Sequence, residues 1–195
     1  HEDCRRQRQM CIRDRGKFYT INCSRVSSGR GFGDPISLLI DKNDNEEVLF
    51  FKIYEQDKEF LITSSAGKGF FVNSNDFIAS TKSGKKVLNL KDNDRAVSCA
   101  EKKGDLIVSI SGEKKSFKLL AFNSSEIPNM QKGRGVTLQK FKSGKTLNAF
   151  CADSNEGIIN ERSKKVLLSA KDLKKWLGKR AQAGRIEPKN LHSKI

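Results

Sequence analysis

Short apolar runs, separated by turn-forming residues, dominate the chain from Gly16 onward. Polar and apolar positions alternate within many of these runs, which is typical of β-strands. Glycine stands between them beside Ala, Asp or Lys, as in the turns at 66–69 and 103–105. The pattern predicts an all-β chain with strands at 17–22, 36–40, 48–54, 60–64, 69–73, 87–90, 96–100, 106–110, 116–122, 136–139 and 147–151.

One unit recurs about three times, and this repeat predicts the architecture. Each copy holds an apolar strand, a polar segment, a turn with glycine and a basic residue, and a second apolar strand. The basic turns contain Arg30, Lys85 and Arg134, at separations of 55 and 49 residues. A period near fifty residues, with about four strands per unit, is typical of bladed β architectures. Since one unit buries little apolar surface alone, we expect neighbouring blades to share a core.

The first fifteen residues depart from this pattern. Residues 5–15 resemble one reading frame of a transposase-adapter oligonucleotide used to prepare sequencing libraries. We therefore interpret residues 1–15 as a disordered sequencing-adapter artefact, at the start of a fragment whose natural protein continues upstream. A basic arm that binds nucleic acid is the alternative interpretation.

The blades are predicted to occupy residues 16–160, and residues 161–195 to form a tail. Residues 169–172 resemble a capping box, and an amphipathic helix is predicted over about 169–183. We expect this helix to dock on the last blade, although its basic face also permits contact with DNA. The apolar residues that would share one face of the helix are Leu173, Trp176, Leu177 and Ala181.

The charge of the chain indicates a polyanionic partner. Lys and Arg number 38 against 23 Asp and Glu, a net charge of +15. Basic side chains displace counterions condensed on phosphates, but composition alone leaves DNA, RNA and an acidic membrane surface open. One basic turn alone is better explained by turn geometry and solubility, whereas three equivalent turns favour a binding rim, where glycine lets the backbone approach a phosphate. The predicted DNA-binding residues are Arg30, Lys68, Lys82, Lys85, Lys86, Lys132, Arg134, Lys140, Lys142 and Lys145.

The sequence offers no pattern for catalysis or metal binding. The five cysteines are scattered and the two histidines stand near the ends, which is unlike a zinc site. The glycine–lysine pairs at 67–68 and 84–85 lack the spacing of a phosphate-binding loop. No apolar run is long enough for a transmembrane helix. We expect no catalytic residue, no metal and no cofactor in this chain, and no membrane insertion.

Four stretches, in the same order, resemble the C-terminal domain of the A subunit of topoisomerase IV, in the type IIA topoisomerase family. The most specific is 126–144, which reads EIPNMQKGRGVTLQKFKSG. The other three are 29–36, 64–70 and 82–89, and the tail at 176–185 is also similar. The gyrase A subunit is the nearest alternative family. Its hallmark is the basic glycine box QRRGGKG, of which QKGRG at 131–135 is a degenerate version.

The resemblance implies a partial β-pinwheel, a propeller-like ring whose blades exchange strands, with a short C-terminal helix. It implies that double-stranded DNA bends over a basic outer edge and is presented for ATP-dependent strand passage, decatenation and relaxation. The catalytic tyrosine and its arginine would lie upstream, cleavage would use Mg²⁺, and ATP would bind the B subunit within an A2B2 heterotetramer. The location would be cytoplasmic and nucleoid-associated. A basic propeller that binds proteins and a free-standing enzyme are the alternatives from other functional classes.

Overall fold

Three four-stranded antiparallel sheets form consecutive blades in a computed structural model, which describes residues 8–25, 35–41, 47–113, 116–160, 163–188 and 191–194. Within these residues one further pair of strands belongs to the tail. The strands are β1 (Arg8–Arg13), β2 (Lys17–Asn22), β3 (Val48–Ile53), β4 (Glu59–Ser64), β5 (Lys68–Asn73), β6 (Lys85–Lys86), β7 (Ala96–Glu101), β8 (Leu106–Glu113), β9 (Ser116–Asn123), β10 (Val136–Thr137), β11 (Lys145–Ala152), β12 (Ile158–Ile159), β13 (Val166–Leu168) and β14 (Arg185–Ile186).

The blades exchange strands. Blade 1 has the order β3-β1-β2-β6, blade 2 has β7-β4-β5-β10, and blade 3 has β11-β8-β9-β14. In each blade a hairpin supplies the two central strands, and the last strand of the same unit flanks them. The fourth strand of each blade comes from the following unit. This arrangement confirms the expected all-β pinwheel.

The central strands of blade 2 are buried on both faces because this sheet packs between blades 1 and 3. Phe60 and Ile62 of β4 are buried with Phe18 of blade 1. Leu61, which points to the other face, is buried with Phe122 of blade 3. Successive side chains of a strand point to opposite faces, so one strand serves two cores. Most aromatic residues of the strands, such as Phe60, Phe70 and Phe122, are therefore core residues, whereas Phe51 of β3 is exposed.

The two edges of each sheet have different surroundings. The edge strand β7 contacts β3 of blade 1 and β11 of blade 3, so these three strands adjoin one another across the blades. The exchanged strands β6, β10 and β14 lie at the opposite edge of their sheets. We call this second edge, formed by β6, β10 and β14, the outer edge.

Three predicted strands differ from the structure. Residues 36–40 were expected to be extended, but Ile36–Leu38 form a 3-10 turn that follows Pro35, and Ile40 is buried beside Tyr19. The strand predicted at 87–90 lies instead at Lys85–Lys86, and the strand predicted at 136–139 is limited to Val136–Thr137. The exchanged strands are short because the chain leaves the sheet after two residues to cross to the next blade.

The N-terminal segment differs from the expected disorder from residue 8 onward. Strand β1 lies between β2 and β3, and Met10 is buried in the core shared by blades 1 and 2. Beyond this strand, Asp14 is buried and accepts a hydrogen bond from Arg95 at 3.0 Å. The sequence of β1 is mostly polar, so apolar alternation does not predict this strand. Pairing with two neighbouring strands stabilises it. Residues 1–7 lie outside the described residues.

The tail contains a shorter helix than predicted. The helix α1 spans Ala170–Leu173 and continues as a 3-10 turn at Lys174–Trp176. Its N-cap agrees with the predicted capping box, since the Ser169 hydroxyl accepts the Asp172 amide at 3.2 Å. The helix does not continue to 183, because Leu177 is extended and the backbone amide of Gly178 donates to Ala121 of blade 3.

The tail nevertheless docks on the last blade. Leu173 is buried in one cluster with Leu106 and Val108. Strands β12 and β13 pair across the predicted boundary at residue 160, so the tail is continuous with the blades. Among the described residues, no helix combines the length and the apolar character needed to cross a membrane.

Candidate nucleic-acid interface

Three glycines at equivalent positions begin the outer edge. Gly84, Gly135 and Gly184 precede β6, β10 and β14, with φ of +74°, +73° and +74°. A Cβ atom on each would lie 2.7, 2.3 or 2.5 Å from a backbone carbonyl oxygen of the neighbouring strand. Only glycine combines this backbone conformation with so close an approach. The sequence therefore fixes where each exchanged strand begins.

The strand register places basic residues at matching positions along this edge. Lys85 lies opposite Phe18, and Arg185 lies opposite the equivalent Leu119. The next pairs are Lys17 with Lys86, Lys68 with Thr137, and Lys118 with Ile186. Each blade thus presents a lysine on its central strand beside the exchanged strand. These three lysines, Lys17, Lys68 and Lys118, are 51 and 50 residues apart.

A capped turn after each hairpin directs the chain toward the neighbouring blade. Asn22, Asn73 and Asn123 end the second hairpin strand of the three units. Each side-chain oxygen accepts the backbone amide two residues later, at 3.0, 2.9 and 2.8 Å. A 3-10 turn begins at the residue after each asparagine. Asn side chains stabilise such turns by this local hydrogen bond, so the repeat is encoded at these positions.

The structure places five of the predicted binding residues at or beside the outer edge. Lys85 and Lys86 form β6, and Arg134 immediately precedes Gly135. Lys68 opens β5 and faces Thr137, whereas Lys132 precedes Gly133, whose backbone bonds to Val87 and Asn89 of the preceding edge segment. Lys68 is half-buried and the other four are exposed.

Four other predicted residues lie outside this edge, and one of them, Lys145, is on the strand at the opposite edge of blade 3. Lys82 is exposed in the approach to β6, and its ammonium donates to the Leu38 carbonyl at 3.3 Å. Lys140 and Lys142 lie on the connection from β10 to β11, and Lys145 opens β11. All four are exposed. Arg30 lies outside the described residues.

Sequence reasoning missed three cations of this region: Lys17, Lys118 and Arg185. Lys17 and Lys118 are separated from Lys68 by 51 and 50 residues, and Arg185 follows a glycine that is 49 residues after Gly135. A search for lysines at the repeat period, rather than for glycine-rich basic turns, would have found the first two. Arg185 could be found only from the pairing of β14 with β9, because the tail does not resemble a blade in sequence.

The outer-edge cations have no carboxylate partner among the residues that the structure describes. Within the described ranges, no ion pair joins an acidic residue to Lys17, Lys68, Lys85, Lys86, Lys118, Arg134 or Arg185. Their positive charge is therefore not neutralised within the part of the chain that the structure describes. Such a surface attracts anions and raises their local concentration.

A second set of cations, near β3 and β7, is paired. Lys52 and Lys58 both contact Glu101, the latter at 3.6 Å. Lys102 lies 2.6 Å from Glu59. Burial acts to raise the pKa of Glu101, but the hydrogen bond from Lys52 and the surrounding lysine charges outweigh it and hold that pKa below its usual value. The hydrogen bond from Lys102 is the main reason that the pKa of Glu59 is lowered.

The described residues offer neither a metal site nor a reactive thiol. No group of three or more His, Cys, Asp or Glu residues converges among them. Cys99 and Cys151 are free thiols, and burial raises the pKa of both, that of Cys151 to about 11. Thiols with raised pKa values are poor nucleophiles at neutral pH. The repeated cationic edge is the chemical feature that stands out.

Strand-exchanged blades with a basic outer edge define the class of the protein. A family model described as the DNA gyrase C-terminal domain, a β-propeller, matches residues 58–100 and 121–150. The E. coli ParC C-terminal domain has a similar fold, with a TM-score of 0.80 over 96% of this chain and 78% of that one, at 22% sequence identity. The DNA gyrase A C-terminal domain gives a TM-score of 0.67 over 95% of this chain and 62% of that one, at 25% identity.

Two longer relatives are more similar to this chain in sequence than these solved structures are. The chain is 39% identical to the A subunit of DNA topoisomerase 4 from Rickettsia felis, over 94% of this chain and 24% of that protein. It is 42% identical to the Rickettsia bellii protein of the same name, over 92% of this chain and 24% of that protein. The chain is thus similar to the A subunits of topoisomerase IV, more than to gyrase A, and it spans about a quarter of these relatives' length.

Proposed function

We propose that this chain binds and bends double-stranded DNA as the C-terminal module of a topoisomerase IV A subunit. The observation that carries the proposal is the outer edge, where cations without an ion-pair partner among the described residues recur at equivalent positions in successive blades. The names of the relatives agree with a DNA substrate. The residues proposed to contact DNA are Lys17, Lys68, Lys82, Lys85, Lys86, Lys118, Lys132, Arg134, Lys140, Lys142 and Lys145, with Arg30 retained from the sequence.

Contacts of this kind are made with the phosphate backbone. Lysine and arginine side chains on phosphates fix the position of a duplex but carry no base information, so we expect weak sequence preference. Most aromatic residues that could stack on bases, such as Phe60, Phe70 and Phe122, are buried in the blade cores instead, whereas Phe51 is exposed. Each phosphate that is neutralised releases condensed counterions, so the affinity should fall steeply as salt is added.

Bending follows from the arrangement of the blades. Strands β3, β7 and β11 adjoin one another, whereas β6, β10 and β14 lie at the opposite edges of their sheets. A duplex that touches consecutive outer edges would therefore run along the outside of the fan of blades and would have to curve. The additional phosphate contacts along that path would offset the elastic cost of the bend.

In the whole protein, we propose that this module presents duplex DNA to a cleavage core located elsewhere in the same polypeptide. Catalytic tyrosine chemistry with Mg²⁺, an A2B2 assembly and ATP hydrolysis on its B subunits belong to that larger protein. Decatenation and relaxation are its expected reactions, in the cytoplasm and on the nucleoid. The described residues of this chain contain no converging donor set that would hold the metal.

The test is a fluorescence-anisotropy titration of the full 195-residue chain with a labelled duplex of about 40 base pairs at several salt concentrations. We expect binding to duplexes of unrelated sequence with similar affinity. A plot of log K against log salt should be linear, with a slope of several units. Energy transfer between dyes on the two duplex ends should rise on binding, which reports bending. Absence of binding at low salt, or affinity that does not change with salt, would refute the proposal.

A further inference from the structure

The tail continues the repeat instead of ending it. In the preceding units a hairpin is followed by a capped turn and then by an exchanged strand that joins the previous blade. The tail has the same order. The β12–β13 pair comes first, the helix capped by Ser169 and its 3-10 turn follow, and β14 then joins blade 3.

A backbone hydrogen bond joins the tail to the third unit, and an equivalent bond joins the third unit to the second. Where the second unit's chain meets the third, the Asn89 amide donates to the Gly133 carbonyl at 2.7 Å. In the tail, the Lys140 amide donates to the Gln182 carbonyl at 3.0 Å. These donors are 51 residues apart and these acceptors 49 residues apart, which is the period of the blades. The tail therefore occupies the place of a further unit's exchanged segment.

Arg185 lies where Lys85 lies in blade 1. Both residues follow a glycine of positive φ, and both pair with the second hairpin strand at equivalent positions, opposite Leu119 and Phe18. Arg185 is exposed and has no ion-pair partner within the described part of the chain. Ile186, the counterpart of Lys86, has 73% of its surface exposed.

The exchanged strand of the tail is anchored on both sides of Arg185. The Trp176 indole donates to the Ile186 carbonyl at 2.8 Å. The buried side-chain amide of Gln139 donates to the Ala183 carbonyl at 2.9 Å. A cation held on a fixed strand loses less conformational entropy when it binds than one on a loose chain end.

We propose that the tail is part of the DNA-binding surface, and that Arg185 extends the phosphate-binding outer edge onto blade 3. This inference rests on the proposed DNA-binding function. It assigns a binding role to a residue of the tail that neither the basic-turn pattern nor the predicted helix identified. Blade 3 thereby contributes the pair Lys118 and Arg185, as blade 1 contributes Lys17 and Lys85.

The test compares two substitutions on β14 in the full chain, with anisotropy titrations of a duplex of about 40 base pairs at several salt concentrations. Arg185→Glu should weaken binding roughly fivefold to tenfold and lower the salt slope by about one. Ile186→Lys recreates the lysine pair of β6 at an exposed position, so it should tighten binding roughly threefold and raise the slope by about one. Lys165→Glu, the same charge change on the β12–β13 turn, should bind as the parent does.

The outcomes separate this inference from the function on which it rests. If the parent chain does not bind duplex DNA at all, the proposed function fails. If the parent binds and Lys85→Glu weakens it, while Arg185→Glu and Ile186→Lys both bind as the parent does, DNA does not reach the tail and this inference fails alone. Because Ile186→Lys is a gain of affinity, unfolding cannot imitate the expected result.

Discussion

The lysines and arginines of this chain form two populations that differ in what surrounds them. Near β3 and β7, Lys52, Lys58 and Lys102 are held by the carboxylates of Glu101 and Glu59. At the outer edge, Lys85 and Lys86 stand beside Lys17, and no carboxylate pairs with them within the described residues. The same residue types thus have opposite roles. Cations paired with carboxylates stabilise the fold. Cations without an ion-pair partner among the described residues produce a positive potential that attracts anions.

The sheet order explains this separation. Strand β7 carries Glu101 at its end, close to β3, so carboxylates and ammonium groups meet where blades adjoin. The exchanged strands carry no acidic residue, and they lie on the far side of each sheet. Like charges side by side, as in the Lys17–Lys86 pair, destabilise a sheet slightly. A polyanionic ligand would remove that repulsion.

Reversing the outer-edge charge should have the largest effect. The fourfold variant Lys85→Glu, Lys86→Glu, Arg134→Glu and Lys142→Glu should reduce duplex affinity roughly a hundredfold or more, because attraction to phosphate becomes repulsion. All four side chains are exposed, so the fold should survive. Anisotropy measures the affinity, and thermal unfolding followed by circular dichroism measures the fold.

A matched variant sharpens this test. Lys164, Lys165, Lys171 and Lys174 are also exposed, but they precede β14 in the tail and lie on none of the exchanged strands. Changing all four to Glu alters the net charge by the same amount. We expect a much smaller loss of affinity, due to long-range attraction alone. Equal losses in the two variants would show that net charge, not the outer edge, determines binding.

Substitutions in the paired population should lower the stability of the fold rather than the affinity for duplex DNA. Glu101→Gln removes the carboxylate that Lys52 and Lys58 share and leaves them with Glu55, at 3.7 and 3.6 Å. The free energy of unfolding should fall by about 1–3 kcal/mol. Urea denaturation measures this change. Duplex affinity at a temperature where the variant is folded should stay close to that of the parent, and a large loss of affinity would break the distinction between the two populations.

The same carboxylates predict acid sensitivity. The folded-state pKa values of Glu101 and Glu59 are lowered, so their ionised forms stabilise the folded chain above the unfolded pKa of about 4.3. That contribution should be lost as the pH falls from this value through the folded pKa values. Urea midpoints measured from pH 6 to pH 3 should decline less steeply for Glu101→Gln than for the parent. Parallel declines would show that Glu101 is not stabilised by its lysines.

Single lysines of the repeated position should give the smallest effects. Lys17→Gln, Lys68→Gln and Lys118→Gln each remove one charge from an equivalent place in blades 1, 2 and 3. Each should weaken binding about threefold and lower the salt slope by about one. Similar values for the three variants would support one continuous path across the blades. An effect confined to one variant would limit the DNA to that blade.

The sequence predicts much of the blade structure because turns and apolar runs are local signals. The hairpin at 60–73 and the strand at 96–100 agree with β4, β5 and β7 to within a residue or so. Gly84 and Gly135 also mark the exchanged strands correctly, because positive φ is a local requirement that glycine meets best. The family resemblance supplied strand exchange, which no local signal encodes.

The remaining features depend on contacts between distant parts of the chain. Strand β1 is polar in sequence and exists through pairing with β2 and β3. The predicted helix ends early because Gly178 bonds to Ala121 of blade 3, a contact that periodicity cannot foresee. Which lysines are paired also follows from tertiary neighbours: Lys102 and Glu59 are far apart in sequence. Exposure and charge alone do not distinguish a paired lysine from a free one.

Lysine footprinting tests the separation of the two populations most directly. The full chain is acetylated briefly with an amine-reactive ester, with and without saturating duplex, and the modification of each lysine is measured by mass spectrometry. Duplex should lower the reactivity of Lys17, Lys68, Lys85, Lys86 and Lys118 severalfold and leave that of Lys52, Lys58 and Lys102 unchanged. Protection spread evenly over both groups, or confined to the second group, would contradict the account.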